Sequence, residues 1–274
     1  MIAFPNIKIN LGLHIINKRD DGFHNIESVF YPIPFCDTLE VITNQQPRGK
    51  KVVLHMEGLP VVGNLQDNII IKAYYLLDKD FGLPPVQICL LKNIPMGAGL
   101  GGGSSDAAHM ITLLNNKYSL QLSIQQMKDY AAVLGSDCAF FIENKPAYLF
   151  GKGHELSPFP IDLTGYYFVL IAPNIHSNTA MAYKGVVARG YAAINLKEIL
   201  AQPVNTWKDT LVNDFEESVF RHHPQLAGLK QSLYDSGAVY ASMSGSGSAL
   251  FGIFEAKPQL PGDIAAITLF EGKL

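Results

Sequence analysis

The glycine-rich stretch PMGAGLGGGSSDA, residues 95–107, decides how the fold is interpreted. It holds five glycines between Gly97 and Gly103, follows a predicted strand over 86–91 and leads into a predicted helix that begins at Ser104. In that order, backbone N–H groups and the positive end of the helix dipole face the loop and can hold a phosphate. A flexible turn with a serine cap is the alternative, but so many glycines carry a large entropic cost. The stretch therefore favours a phosphate-binding loop.

Two known phosphate-binding loops, the dinucleotide-binding loop and the Walker-type loop, have patterns that this stretch does not fully match. Gly97, Gly99 and Gly102 satisfy the GxGxxG pattern, but no acidic residue ends a second parallel strand about 20 residues later, as a dinucleotide site requires. A dinucleotide site is therefore a weak alternative. A Walker-type loop needs a lysine after its last glycine, and here Ser104 follows Gly103. We therefore exclude a Walker-type NTPase.

The amino-acid composition argues against several classes of protein. The 274 residues fit one large or two modest domains, and only 16% are charged, which argues against disorder. The formal net charge of −3 provides no basic field for nucleic acid, so we expect no nucleic-acid partner. Three cysteines without CxxC spacing suit reduced thiols, and no apolar run is long enough to span a membrane or to form a signal sequence. We expect a soluble, cytoplasmic protein without a membrane partner.

Hydrophobic patterning predicts an α+β organisation. In the first half, alternation or β-branched residues predict strands over 7–16, 28–34, 38–43, 51–56 and 86–91. Helical spacing predicts helices over 68–79, with Asn64 and Asp67 as candidate caps, over 104–117, and from a Ser123–Gln126 capping box to Gly135. Alanine and long apolar residues should form the buried face of the second helix, namely Ala107, Ala108, Met110, Ile111 and Leu114.

The second half has the same mixed character. We predict a strand over 146–150, buried strands over 166–172 and 249–254, and helices over 179–188, 213–220 and 225–236. The sequence Ser157-Pro158-Phe159-Pro160 resembles a linker, and we place a domain boundary near residue 152. Strands and helices alternate unevenly in both halves, which is typical of α+β domains.

Lys8 and Asp137 are candidate catalytic residues. Lys8 lies in an apolar strand, where its alternation partners Asn6 and Asn10 are also polar, so this face is either exposed or part of a site. Asp137 follows the helix stop at Gly135 and precedes apolar residues, although a turn or cap role is more common for such an aspartate. A lysine beside an aspartate could hold the carboxylate ionised to accept a hydroxyl proton. Spacing does not show that the two residues meet.

Two further polar turns are candidate parts of a functional site. Residues 19–24 form a polar turn that ends in Phe23 and His24, and a lone histidine is usually structural. Residues 242–248 read Ser-Met-Ser-Gly-Ser-Gly-Ser and precede the last predicted buried strand. This segment could bring backbone close to a phosphate or substrate, or could form a simple tight turn. The residue pattern leaves both interpretations open.

Taken together, these motifs resemble the GHMP kinase superfamily over nearly the whole chain. The stretch PMGAGLGGGSSDA resembles the ATP loop of that superfamily, residues 134–137 its aspartate segment, and residues 243–247 its third motif. Pro5, Lys8 and Asn10, followed by residues 21–24, resemble the branch whose members phosphorylate the 2-hydroxyl of 4-diphosphocytidyl-2-C-methyl-D-erythritol in non-mevalonate isoprenoid biosynthesis. Mevalonate and homoserine kinases are similar in the glycine loop but lack that pairing.

The resemblance implies an architecture and a set of site residues. Residues 1–152 would form an ATP-binding domain like domain 2 of ribosomal protein S5, and residues 153–274 a ferredoxin-like substrate domain. Asp137 would be the general base and Lys8 its orienting partner. The implied ATP-binding residues are Asn68, Lys92, Pro95, Met96, Gly97, Ala98, Gly99, Leu100, Gly101, Gly102, Gly103, Ser104 and Ser105. The implied substrate-binding residues are Asn10, Phe23, His24, Thr179, Tyr183, Gly245, Ser246 and Gly247, with His24 and Tyr183 as aromatic walls for the cytosine.

The resemblance also implies the cofactors and the partner. ATP would be the phosphoryl donor with Mg²⁺, for which Ser105 is a candidate ligand, and the active form would be a monomer or weak homodimer. Two positions depart from the family pattern: Cys138-Ala139 follow the aspartate where Val or Ile and then Pro are usual, and Phe23 stands where Tyr is common. The alternatives are a related kinase for another alcohol, such as mevalonate or homoserine, and a nucleotide-binding protein without turnover.

Overall fold

A computed structural model of the chain describes residues 1–45, 49–61, 63–186, 188, 190 and 195–274. The strands are β1 (Ile2–Ala3), β2 (Asn6–Lys18), β3 (His24–Cys36), β4 (Thr38–Thr43), β5 (Val52–Gly58), β6 (Val86–Lys92), β7 (Ala147–Phe150), β8 (Glu155–Pro158), β9 (Tyr167–Ile171), β10 (Tyr240–Met243), β11 (Leu250–Phe254) and β12 (Thr268–Lys273). The helices are α1 (Ile69–Phe81), α2 (Gly102–Tyr118), α3 (Ile124–Leu134), α4 (Phe140–Glu143), α5 (Thr179–Lys184), α6 (Leu196–Leu200), α7 (Phe215–His222), α8 (Gln225–Asp235) and α9 (Gly262–Ala266).

The chain divides into two compact units, and each is built from three separate segments. Unit 1 comprises Met1–Lys8, Pro34–Met96 and Gly101–Lys145. Unit 2 comprises Ile9–Ile33, Gly97–Leu100 and Pro146–Leu274. The predicted boundary near residue 152 lies inside the last segment of unit 2, and the two domains assigned by sequence, 1–152 and 153–274, stay a prediction.

Unit 1 combines one sheet with helices α1 to α4. The sheet has the strand order β1-β4-β6-β5, in which β5 and β6 are parallel and the other pairs antiparallel. Two of its helices begin at side-chain caps, whereas α2 begins at Gly102, two residues before its predicted start at Ser104, and has no side-chain cap. Asn68 accepts the Ile70 N–H at the start of α1, and Ser123 and Gln126 form a capping box at the start of α3. The predicted face of α2 is buried as expected, so this helix contributes its apolar side to the core.

Unit 2 contains two four-stranded sheets. One has the order β2-β3-β7-β8 and the other the order β10-β11-β9-β12, whose pairs are all antiparallel. Helix α8 packs against β10 and β11, and α7 contacts α5 and α8. The core of this unit is rich in aromatic rings, among them Trp207, Tyr240, Phe168 and Phe251, which are nearly or fully buried.

Several predicted elements need correction. Residues 157–160 were expected to form a linker, but Glu155–Pro158 is an edge strand that pairs with β7. Asn68 rather than Asp67 caps α1, while Asn64 caps a short 3-10 turn over Leu65–Asp67. The helix predicted over 179–188 ends at Lys184, and its residue 187 lies outside the described residues. The mixed helix and strand content confirms the α+β prediction.

No helix in the described part of the chain is both long and apolar enough to cross a membrane.

Candidate active site

Lys8 and Asp137 meet in unit 1. The Nζ of Lys8 lies 3.6 Å from Oδ2 of Asp137, and the lysine side chain is 4% exposed, whereas the aspartate is 29% exposed. Burial lowers the pKa of Lys8, although the nearby Asp137 carboxylate partly opposes this by favouring the charged amine. The pair therefore presents a carboxylate that ligands can reach, with a buried cation behind it.

Local structure explains why this pair forms. Asn6, Lys8 and Asn10 share one face of β2, and all three are buried, which settles the question of whether this polar face is exposed. Asn6 accepts a hydrogen bond from Asn144 Nδ2 at 2.6 Å. Gly101 has a φ of +71°, and a Cβ there would lie 3.2 Å from Cγ of Lys8. The glycine thus lets the backbone at the start of α2 pack directly on the lysine stem.

Lys92 belongs to a buried ionic cluster in unit 1. Its Nζ forms ion pairs with Asp37 and with Asp106, the latter at 3.0 Å. Asp37 also accepts the N–H groups of Asn93 and Ile94 at 2.6 and 2.9 Å, which fixes the end of β6 just before the glycine stretch. A Cβ on Gly102 would lie 3.1 Å from Lys92 Nζ. Lys92 therefore lies beside the glycine stretch, with its Nζ bonded to the side chains of Asp37 and Asp106.

Burial changes the protonation of Asp106. It raises the pKa of Asp106 to about 7, and the negative charge of Asp37 acts in the same direction, while the Lys92 ammonium opposes both. Oδ1 of Asp106 is buried and finds no hydrogen-bond partner among the described residues.

In unit 2, residues 97–100 pack against the glycine turn over 244–249. Ser244 Oγ donates to Gly99 O at 2.9 Å, and the Ala249 N–H donates to Ala98 O at 3.1 Å. Gly99 has a φ of +80°, and a Cβ there would overlap the carbonyl oxygen of Ser244. Gly245 completes the contact, because its Cβ position lies 3.2 Å from Gly99 Cα and 3.5 Å from Asn10 Oδ1. Two glycine segments far apart in sequence thus form one backbone surface.

An aromatic pair lies elsewhere in unit 2. The rings of His24 and Tyr183 stack with centroids 4.9 Å apart and an interplanar angle of 20°. Phe215 supports Tyr183 edge-on at 4.7 Å. Burial lowers the pKa of His24, and the positive charge of Lys18 adds to this, so the neutral imidazole is favoured. A neutral ring is suited to stacking on a heteroaromatic base.

The chain was compared with known protein families and structures. The description "GHMP kinases N terminal domain" matches residues 68–145, and "GHMP kinases C terminal" matches residues 195–266. A protein of Bacteroides thetaiotaomicron named 4-diphosphocytidyl-2-C-methyl-D-erythritol kinase is 51% identical over 261 residues, which cover 95% of this chain and 94% of that protein. A protein of the same name from Porphyromonas gingivalis is 48% identical and covers 98% of this chain and 96% of its own. The chain belongs to the GHMP kinase family.

Solved structures agree with this assignment. A crystal structure of 4-(cytidine 5'-diphospho)-2C-methyl-D-erythritol kinase superposes on this GHMP kinase with a TM-score of 0.80, at 30% identity over 94% of this chain and 91% of that one. The mevalonate kinase of Methanococcus jannaschii superposes with a TM-score of 0.67 over 97% of this chain and 92% of its own. Its identity of 13% shows only that the fold is shared.

The two units of this GHMP kinase divide the predicted site residues between them. Unit 1 holds Lys8, Asp137, Asn68, Lys92 and the part of the glycine stretch from Gly101 onward, and unit 2 holds residues 97–100 with the predicted substrate residues. Asn68 acts as the cap of α1, with Nδ2 3.6 Å from Met56 Sδ. Thr179 and Ser246 are joined by a hydrogen bond of 2.8 Å between their hydroxyls. Phe23 is 61% exposed, and Lys152 Nζ lies 5.0 Å from its ring centroid.

Cys138, which stands after Asp137 where the family usually has Val or Ile, places a buried thiol at this position. Cys138 is fully buried, and burial raises the pKa of its thiol to about 11, although a hydrogen bond with Ser104 opposes this. The thiol is therefore neutral at physiological pH, where it acts as a small packing group beside the glycine stretch.

Ser105 does not fit the role of a magnesium ligand. Its side chain is fully buried in α2, and its hydroxyl lies 3.4 Å from His109 Nδ1, which also approaches the Ser105 carbonyl at 2.9 Å. A hydroxyl turned into its own helix offers no oxygen to an ion that is carried by a nucleotide. The described residues contain no group of three or more His, Cys, Asp or Glu side chains that could hold a metal ion.

Sequence reasoning missed the residues that hold these segments in place. Asn213 donates through Nδ2 to Met243 O and Gly245 O, and Glu216 accepts the Met243 N–H at 2.8 Å. In unit 1, Asp37 holds Lys92 in place through an ion pair. A polar residue at the start of a predicted helix was the available signal at Asn213, but that signal normally indicates only a cap.

Proposed function

We propose that this protein transfers the γ-phosphoryl group of ATP to the 2-hydroxyl of 4-diphosphocytidyl-2-C-methyl-D-erythritol, a step of non-mevalonate isoprenoid precursor biosynthesis. Relatives named for this substrate are about 50% identical over about 95% of the chain. The single structural observation that carries the chemistry is the Lys8–Asp137 pair, because a reachable carboxylate beside a buried ammonium is suited to accept a hydroxyl proton.

In this proposal the Asp137 carboxylate takes the proton of the substrate hydroxyl. The hydroxyl oxygen then forms a bond to the γ-phosphorus while the bond from that phosphorus to the β,γ-bridging oxygen breaks, and ADP leaves with the electron pair. Lys8 orients the Asp137 carboxylate and stabilises negative charge near the transferring group. The N–H groups at the start of α2 and the glycine stretch support binding of the ATP phosphates.

The aromatic pair supports recognition of the cytidine end. Base stacking selects a nucleotide without any need for a positive net charge, which agrees with the value of −3. His24 and Tyr183 already stack on one another at 4.9 Å, so a base that contacts a face of both rings must separate them. We propose that the cytosine enters in this way and that Phe215 limits how far Tyr183 moves.

Three accompanying features are also proposals. Mg²⁺ would arrive as its ATP complex and neutralise phosphate charge. The buried Ser105 does not fit as its ligand. The reaction would take place in the cytoplasm, which suits the free thiols of Cys36, Cys89 and Cys138. The active form would be a monomer or weak homodimer, which size-exclusion chromatography with light scattering can check.

The testing experiment is ADP release with ATP, Mg²⁺ and a panel of acceptors: the cytidyl compound, free methylerythritol, mevalonate and homoserine. We expect turnover with the cytidyl compound alone. Turnover confined to mevalonate or homoserine would refute the substrate assignment, and ATP binding without any transfer would refute the catalytic one.

The role of Asp137 is tested in the same assay. Asp137→Asn should lower kcat by about 10²- to 10⁴-fold and leave the KM for ATP similar, since an amide cannot accept the proton. The matched control is Asp129→Asn, which changes an exposed aspartate on α3 of the same unit and should leave kcat unchanged. An unchanged kcat in Asp137→Asn would remove the general base from the proposal.

A further inference from the structure

Four consecutive carbonyl groups at the glycine turn in unit 2, those of residues 243–246, point towards donors from the protein. Asn213 Nδ2 donates to Met243 O at 2.7 Å and to Gly245 O at 2.8 Å. The Gly247 N–H donates to Ser244 O at 3.0 Å, and Ser177 Oγ donates to Ser246 O at 2.6 Å. Four consecutive carbonyl oxygens, from Met243 to Ser246, are therefore bonded within the unit.

Asn213 is the centre of this arrangement. It is 2% exposed, and its Oδ1 accepts the N–H of Phe215 at 3.0 Å, which fixes the amide orientation so that Nδ2 faces the turn. Glu216, one turn of helix further on, accepts both the Met243 N–H at 2.8 Å and the Ser242 hydroxyl at 3.1 Å. The start of α7 thus holds β10 and the turn that follows it at several points.

The electrostatic consequence concerns anions. A carbonyl oxygen that faces a ligand repels phosphate, so a turn whose carbonyls are bonded inward presents less negative charge to an anionic group. The N–H groups of Ser244, Gly247 and Ala249 are bonded within the unit, which leaves those of Gly245, Ser246 and Ser248 and the close backbone approach for that group. Gly245 and Gly247 have φ values of +56° and +85°, which few other residues adopt. The turn also contacts residues 98 and 99 of the glycine stretch.

We infer that Asn213 is a positioning residue that turns the carbonyls of Met243 and Gly245 inward and so makes the glycine turn a binding surface for the anionic diphosphate of the substrate. The inference rests on the proposed function, because it takes a nucleoside diphosphate as the ligand class. Asn213 touches neither substrate nor reacting atoms and acts through the turn.

The test compares two substitutions of different character. Asn213→Asp keeps the shape of the side chain but replaces the two donors by lone pairs that face Met243 O and Gly245 O. Asn213→Ala removes the donors without adding charge. We expect the KM for the cytidyl substrate to rise at least ten-fold in both, more in Asn213→Asp, with kcat reduced less than three-fold. If Asn213 had only a structural role, Asn213→Asp, which keeps the shape of the side chain, would instead raise the KM less than Asn213→Ala.

A matched control separates positioning from general destabilisation. Tyr240 is fully buried in the same unit and on β10, and its hydroxyl donates to Leu211 O at 3.1 Å, away from the turn. Tyr240→Phe therefore removes a buried hydrogen bond to a carbonyl and should lower Tm without raising the KM. If the KM rises equally in Tyr240→Phe and Asn213→Ala, the inference is overturned.

A second variant covers the case in which neither Asn213 substitution yields folded protein. Ser177→Ala frees one carbonyl, Ser246 O, and should raise the KM in the same direction by a smaller factor. A KM within two-fold of the original in this variant would then overturn the inference.

Binding of CDP, measured by calorimetry, separates this inference from the proposed function. If the unmodified enzyme phosphorylates none of the acceptors but binds CDP, loss of CDP binding in Asn213→Asp still supports the positioning role. If the unmodified enzyme does not bind CDP, the inference is overturned together with the cytidyl assignment. If the enzyme turns over the cytidyl compound while Asn213→Ala is folded and keeps its KM within two-fold, only the inference fails.

Discussion

The difference in free energy of unfolding between the Asp106→Asn variant and the unmodified protein should shift in favour of the variant as the pH rises from 5 to 8. In the folded protein, burial, opposed by Lys92 and reinforced by Asp37, raises the pKa of the Asp106 carboxyl from 3.8 to about 7. The folded state therefore binds this proton more tightly than the unfolded state. The stabilising contribution is fully present below the unfolded pKa and is lost as the pH rises through the folded pKa.

The magnitude follows from the two pKa values. Between pH 5 and pH 7 the unfolded chain has released the proton while the folded protein still holds it, and each pH unit in this interval costs about 1.4 kcal/mol of stability. The unmodified protein should therefore lose about 3 kcal/mol between pH 5 and pH 8 through Asp106 alone. An asparagine resembles the protonated acid at every pH, so the variant avoids this loss.

Urea unfolding followed by far-UV circular dichroism at pH 5, 6, 7 and 8 measures the difference in free energy of unfolding between the two proteins. The control is Asp129→Asn on the exposed side of α3, for which the difference should change by less than about 0.5 kcal/mol over the same range. A difference for Asp106→Asn that is constant between pH 5 and pH 8 would refute the assignment of a protonated carboxyl beside Lys92.

Two further predictions concern unit 2. His24→Ala should raise the KM for the cytidyl substrate about ten-fold or more and leave the KM for ATP alone, since stacking on a base is worth about 1–3 kcal/mol, and His24→Phe should restore most of the loss; an equal rise in both KM values would place His24 at the phosphates instead. Gly99→Ala should lower the free energy of unfolding by about 3 kcal/mol in urea titrations, because φ is +80° and the new Cβ would meet Ser244 O. Gly103→Ala is its control, since a Cβ there meets nothing within 4 Å, and equal losses in the two variants would contradict the predicted overlap.

Much of unit 1 could be predicted because its patterns are local. The capping box at Ser123, the helix end at Gly135 and the strand over 38–43 depend on neighbouring residues only, and all three are observed. Strand β8 was missed because Pro158 and the nearby Pro160 indicate a loop, yet an edge strand tolerates proline at its end. Strand β12 was missed because it carries little alternation, and β10 because its last two residues, Ser242 and Met243, belong to the segment that was interpreted as a turn.

The site was predictable only in its motifs. The glycine stretch and Asp137 carry residue types that indicate chemistry, whereas Asn213 and Asp37 act through hydrogen bonds to backbone 30 to 57 residues away. Such pairings depend on the folded path of the chain, and no local spacing reveals them. The same reason explains why the segmented units differ from a single boundary near residue 152.

The segmented construction of unit 2 has a consequence for protein synthesis. The Ile15 N–H donates to Asp214 Oδ2, and these residues are 199 positions apart. A ribosome that adds about 5–20 residues per second needs about 10–40 s to cover that distance. During this time β2 can pair with β3, which follows it directly in the chain, but the edge of β2 that bonds to residues 212–214 waits for them. A premature stop anywhere before residue 212 therefore leaves that edge of β2 permanently exposed, although β2 and β3 are both complete.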